Sequence, residues 1–187
     1  MRHYAVCLLC ASVSLLPLPS LARPAPATPT PAAAPAPTLP PLTESDSTFA
    51  ENVSALNTFE INISTLAAEQ AKRRKVQEFA RSSARMHTTN QKTLTTMALK
   101  HGLALHQEMS PDEEQIAGQL KTENGAKFDR DYLDLQAQAA SDALAMFQNE
   151  AESASDPELK AYAAATADTL QANLKESLQL GASKPSR

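Results

Sequence analysis

Ten of the chain's 13 prolines lie at or before Pro41, which leaves three for the 146 residues that follow. Glycine is almost as scarce, with 4 in 187 residues. An all-β domain needs Gly and Pro turns every dozen residues or so, and this stretch does not supply them. The same scarcity suits long helices, which Gly and Pro interrupt. The chain therefore divides into a Pro-rich N-terminal part and a helix-compatible remainder before any motif is considered.

Residues 1–22 read as a secretory signal peptide. Arg2 and His3 give a short basic start, an apolar run extends from Tyr4 to Leu16, and Ser20-Leu21-Ala22 offers small residues for cleavage after Ala22. The run is shorter than the roughly 20 residues of a bilayer span. Lipid modification at Cys10 is disfavoured because Leu9 precedes it. Both cysteines, Cys7 and Cys10, fall inside this leader. The mature chain is then without a thiol, which excludes a disulfide, a Cys-ligated metal and a Cys nucleophile. Loss of Arg2 takes the formal net charge from −4 to −5, an acidic balance that argues against general nucleic-acid binding.

Residues 23–42, RPAPATPTPAAAPAPTLPPL, hold eight prolines among alanines and threonines. Such a segment cannot bury enough apolar surface to fold and is expected to be a disordered, extended spacer of polyproline character. From Thr43 onward the chain is long enough for one domain with its own core. The expected domain is 43–182, with 183–187 as a flexible tail.

Apolar positions in that domain recur at mixed three- and four-residue steps. The first helix is expected from Asp46 or Ser47, either able to cap it, with an inward stripe Phe49, Val53, Leu56, Glu60, Ile63, Ala67. The second carries Val76, Ala80, Ser83, His87, Asn90, Leu94, Met97 and His101, and ends at Gly102. Ser110-Pro111-Asp112-Glu113 has the form of a capping box with Pro in the first turn, and opens a short third helix that ends near Asn124-Gly125. The fourth runs from about Lys127 to Glu152, with a stripe Phe128, Tyr132, Leu135, Ala139, Ala143, Met146 and with Gln136, Ala140 and Phe147 alongside. Ser155-Asp156-Pro157-Glu158 starts the fifth, which carries Asn173 inward and closes at Gly181. A turn is required near Lys72-Arg73-Arg74-Lys75, because a single rod to His101 has no place in so small a domain. These cations are expected at the C-terminal end of the first helix, where they suit its dipole. The fold class that follows is all-α, an antiparallel four-helix bundle with one short extra helix.

Glu60 and His87 sit mid-helix on inward stripes at similar heights, and Asn173 joins them from the fifth helix. They are expected either to form a hydrogen-bonded interior cluster or, through Glu60 and His87, to give two donors to a divalent metal ion. A tight metal site wants at least three. No Glu-x-x-His occurs, so a di-iron site is disfavoured. There is no Gly-x-Ser-x-Gly and no Gly-rich phosphate loop. His101 and His106 are expected to be exposed in the loop after the second helix.

Four segments, FEINISTLAAEQA (59–71), VQEFARSSARMHTTNQKTLTTMALKHG (76–102), GAKFDRDYLDLQAQAASDALAMF (125–147) and ELKAYAAATADTLQANL (158–174), fall in a recognisable order. They resemble the exported ferritin-like family catalogued as domain of unknown function 4142, often labelled as candidate outer membrane proteins. FDRDYLDLQ is the most specific piece, and the resemblance spans about residues 47–180. It implies a signal peptide, a ferritin-like bundle and no established activity. Glu60 and His87 match inward polar positions of the family. Met86, Ala140 and Asn173 stand where the family pattern has an Asp and two His, which implies that a metal held by those histidines would be lost or weakened here.

The expectation is a non-enzymatic domain without a resident cofactor, periplasmic or outer-membrane-associated after signal-peptide removal. It would have no transmembrane span in the mature chain and an unknown partner, which an envelope protein or a membrane surface would fit. The alternative is a ferritin-like domain that binds a metal or small ligand through Glu60 and His87.

Overall fold

A computed structural model describes residues 37–186, so the leader 1–22 and the tether residues 23–36 lie outside the described residues, as does Arg187. Five helices follow one another: α1 (Glu44–Gln70), α2 (Arg74–Lys100), α3 (Pro111–Thr122), α4 (Gly125–Ser153) and α5 (Pro157–Leu180). Among the described residues there is no strand. None of the described helices is long and apolar enough to cross a membrane.

Several helix ends close as the sequence leads one to expect, with two exceptions. Ser110 and Glu113 form the full capping box at the start of α3, with Pro111 in the first turn. Asp156 caps α5 by accepting from Leu159 N at 2.8 Å. After α2, Gly102 takes φ +76° and Leu103 N reaches back to Ala98 O at 3.0 Å, the pairing by which a left-handed residue closes a helix. The first exception is α1, which is capped by Thr43 rather than by Asp46 or Ser47: Thr43 Oγ1 accepts from Asp46 N at 3.1 Å. Asp46 is instead buried, and its carboxylate accepts the backbone N–H groups of Ser155 (3.4 Å) and Asp156 (3.3 Å) in the turn before α5.

The second exception is the basic run. Helix α1 has no cation in its last turn, and Arg74 and Lys75 open α2 instead, at the end of a helix where its dipole opposes them. Asp129 of α4 compensates. Its buried carboxylate accepts from Lys72 N (2.7 Å), Arg73 N (3.0 Å) and Arg73 Nε (3.1 Å), so the turn is held from 57 residues downstream rather than by the dipole of α1.

Helix α1 packs mainly on α2 and α4 on α5, with further contacts between α2 and α5 and between α1 and α4; α3 lies on α1 and α4. Two apolar clusters result. One gathers Phe49, Val53, Leu94, Met97, Phe147 and Tyr162, with Phe49 and Phe147 edge to face at a centroid distance of 5.2 Å. The other gathers Ile63, Val76, Phe79, Phe128, Tyr132 and Leu133. On α4 the buried stripe is Phe128, Tyr132, Gln136, Ala140, Ala143, Phe147, one residue round from the expected Leu135, Ala139 and Met146, which are only half-buried. That rotation carries Gln136 inward. Beyond α5, Ser183 donates to Asp134 and Ser186 to Gln138, which lays the last described residues along α4.

Candidate functional site

Between the two apolar clusters each long helix contributes polar residues: Ser54, Asn57 and Glu60 from α1, Ser83, His87 and Gln91 from α2, Gln136 from α4 and Asn173 from α5. All are buried. Buried polar groups are costly unless paired, so the pairing of this waist is the first question to settle.

The pairing has a direction, set at one end by a backbone carbonyl that can only accept. Ser54 Oγ donates to His106 O at 2.7 Å. Its oxygen therefore takes a proton from Gln91 Nε2 at 2.9 Å. Gln91 Oε1 then accepts from Asn57 Nδ2 at 3.3 Å. Asn57 Oδ1 is left facing His87 Nδ1 at 2.9 Å, so that nitrogen carries the proton. His87 Nε2 is thereby an acceptor in the neutral ring, and it points toward Glu60 Oε2 across 4.0 Å, beyond hydrogen-bond range.

A second series runs in from α5. Asn173 Nδ2 donates to Ser83 Oγ (3.3 Å), Ser83 Oγ to Gln136 Oε1 (2.9 Å), and Gln136 Nε2 to Glu60 Oε2. The two series meet at a cavity of about 10 Å³ bounded by Glu60, His87, Gln136, Asn173 and the methyl groups of Ala139, Ala140 and Ala143. Glu60 and His87 are thus brought to one point with Asn173, and α4 adds to them not only the methyl group of Ala140 but also the amide of Gln136.

Burial dominates the electrostatics. It raises the Glu60 pKa to about 8, against the opposing hydrogen bond from Gln136, and lowers that of His87 to about 4. Both are neutral at pH 7. As metal ligands they stand alone: among the described residues no group of three or more His, Cys, Asp or Glu is placed to hold an ion. A nearby pair, Ser64 Oγ and Tyr132 Oη at 3.0 Å, adds to the polar interior, and burial raises the Tyr132 pKa.

His101 departs from its expected exposure. It is buried, with Nδ1 2.5 Å from Pro40 O and Nε2 3.4 Å from Asp156 Oδ2. Thr38 N and Leu39 N both donate to Lys100 O, at 2.8 and 2.9 Å, so the last tether residues are tied to the end of α2. Its partners come from 61 and 55 positions away, which local spacing cannot reveal. The side chain of His106 is exposed as expected, although its carbonyl anchors the interior series.

The sequence matches the family described as Domain of unknown function (DUF4142) over residues 28–180. The chain belongs to this DUF4142 family. Among solved structures, it is similar to a DUF305 fragment from Deinococcus radiodurans, with a TM-score of 0.68 and 17% identity over 75% of this chain and 97% of that one. It is also similar to a DUF305 protein from Streptomyces coelicolor described as a candidate secreted protein, with a TM-score of 0.67 and 14% identity over 76% and 96% of the two chains. At these identities the likeness is one of fold. No curated protein matches the sequence.

In this DUF4142 member the positions singled out by sequence, Glu60, His87, Ala140 and Asn173, line one cavity, while Met86 lies outside it on a groove between α2 and α5. Sequence reasoning missed Asn57, which bonds His87, and Gln91, which holds Asn57 in place. The signal was available, since Asn57 precedes Glu60 by three residues and Gln91 follows His87 by four, which places each on its neighbour's face.

Proposed function

We propose that this is an exported, non-enzymatic accessory domain of the cell envelope that acts by binding. Cleavage after Ala22 would release it to the periplasm or the outer-membrane surface, and residues 23–42 would hold the bundle away from its point of attachment. The fold is read as an antiparallel four-helix, ferritin-like bundle with α3 as the short extra helix. Its support is the order of the cross-helix pairs: positions 54 and 57 of α1 meet 91 and 87 of α2, and 60 and 64 of α1 meet 136 and 132 of α4, rising on one helix as they fall on the other.

The observation that carries the non-enzymatic reading is the cavity at Glu60 and His87. Its volume of about 10 Å³ is that of one small molecule of solvent, whereas pockets for organic ligands run to about 300 Å³ or more. Most of the polar groups around it are already engaged with one another, which leaves only His87 Nε2, Asn173 Oδ1 and the Glu60 carboxyl facing the space. The rival reading, a divalent metal between Glu60 and His87, has only these two donors.

Two measurements test the reading. Zinc and iron titrations of the folded protein, wild type against His87→Ala, should show no binding that depends on His87; low-micromolar affinity lost in the variant overturns the cofactor-free reading. Fractionation with N-terminal sequencing should find a periplasmic or envelope-bound chain starting at Arg23. A cytoplasmic chain that retains residues 1–22 overturns the export reading. Capture of envelope partners with and without residues 23–42 then assigns the contacts to tether or bundle.

A further inference from the structure

We infer that the cavity between Glu60, His87 and Asn173 is a binding site for one water molecule, which closes the polar waist into a ring. Three independent features converge on it. The cavity of about 10 Å³ matches the room a single water requires. Asn173 Oδ1 is buried and has no hydrogen-bond partner among the described residues, although the residue is only 9% exposed and lines the cavity. His87 Nε2 is an acceptor, by the donor direction fixed from His106 O, and the nearest Glu60 oxygen stands 4.0 Å away. That separation is too long for a direct bond and suits one bridging oxygen.

The valences balance. A water has two protons to give, and the cavity presents two acceptors in need of them, His87 Nε2 and Asn173 Oδ1. It accepts in return from the Glu60 carboxyl, whose hydroxyl is retained at neutral pH by burial. The ring is then complete: Asn173 to Ser83, Ser83 to Gln136, Gln136 to Glu60, Glu60 to water, and water back to Asn173. Three polar partners is the usual complement of a buried water. Ala140 decides the matter sterically, because its short side chain is what leaves the space. Exchange has a route as well. A groove of about 260 Å³ between α2 and α5 reaches Ser83 and Asn173 from outside, so solvent needs only a swing of Asn173 to enter.

The test uses the full chain. A crystal structure that resolves ordered solvent should show one peak at hydrogen-bond distance, about 2.7–3.2 Å, from the Glu60 carboxyl, His87 Nε2 and Asn173 Oδ1. In solution, oxygen-17 relaxation dispersion should lose one long-lived internal water on Ala140→Val, with the helical circular dichroism unchanged. A cavity without density, a direct Glu60–His87 bond, or anomalous signal of a metal ion at the site overturns the inference. So does an equal count of long-lived waters in wild type and a folded Ala140→Val. If that variant does not fold, the wild-type crystal decides alone.

Discussion

Glu60 and His87 face each other across the seam of α1 and α2 at 4.0 Å, and burial removes the charge from both. Stability must therefore depend on pH in a definite way. The Glu60 pKa is about 8 when folded against 4.5 in the open chain, so its contribution is complete below pH 4.5 and is lost as pH rises to 8. That of His87 is about 4 against 6.5, so its contribution is complete above pH 6.5 and is lost as pH falls through 4. Between pH 4.5 and 6.5 the two slopes oppose. From pH 6.5 to 8 only Glu60 of the pair acts, and at about 1.4 kcal/mol per pH unit its contribution should fall by about 2 kcal/mol. Urea midpoints across this range should fall in the wild type and stay level in Glu60→Gln. Parallel curves for the two proteins refute the assignment.

The turn between α1 and α2 makes a second prediction, in which two partners of one ion pair differ in weight. Asp129 is buried and receives two backbone N–H groups as well as Arg73 Nε, whereas the Arg73 side chain is half-exposed. Removing the acceptor leaves two part-buried backbone donors of the turn without their partner, while removing the guanidinium only weakens a solvated contact. Asp129→Ala should cost about 2–4 kcal/mol in urea unfolding, and Arg73→Ala less than about 1 kcal/mol. Equal losses would show that the pair, and not the capping of the turn, holds the helices together.

These two cases mark how far the sequence could be read. Helix number, the capping box at Ser110 and the closures at Gly102 and Gly181 rest on residues within a few positions of one another, and all were legible. Glu60, His87 and Asn173 were legible as inward because apolar neighbours at three- and four-residue steps carry them. Asp129 was not, since an acid in the first turns of α4 looks like an ordinary dipole partner until α1 and α2 are folded against it. Gln136 was placed only alongside the stripe of α4, a one-residue error there, because half-buried Leu135 and Met146 outweigh it in hydropathy. Long-range partners and small helix rotations are tertiary facts that periodicity does not encode.

His101 shows the same limit at the start of the domain. Its imidazole sits between Pro40 O and Asp156 Oδ2, beside the amides of Thr38 and Leu39 that bond to Lys100 O. Pro37 packs against Gly102, where an added Cβ would come within 3.1 Å of Pro37 Cγ. His101→Ala removes the side-chain contact and leaves the helix end intact. Hydrogen exchange at Thr38 and Leu39 should accelerate by tenfold or more, while amides in the middle of α1 keep their protection. Unchanged exchange at both amides would mean that the backbone bonds to Lys100 hold the strap without His101.

The tautomer of His87 gives the most direct check on the waist, because it is fixed by a group that cannot reverse its role. His106 O is an acceptor only, so Ser54 must donate, Gln91 must present its amide nitrogen to Ser54, and Asn57 its amide nitrogen to Gln91. The neutral imidazole then carries its proton on Nδ1, toward Asn57 Oδ1. Long-range proton–nitrogen correlation spectra at pH 7 should show His87 as this tautomer. Ser54→Ala removes the link to the carbonyl, leaves Gln91 free to turn, and should cost about 1–3 kcal/mol. With Gln91 and Asn57 no longer held in one sense, His87 in this variant should populate both neutral forms. A wild-type His87 protonated on Nε2 would reverse every donor from Asn57 to Ser54 and leave the hydroxyl no proton for His106 O, so the spectrum of one ring tests the whole series.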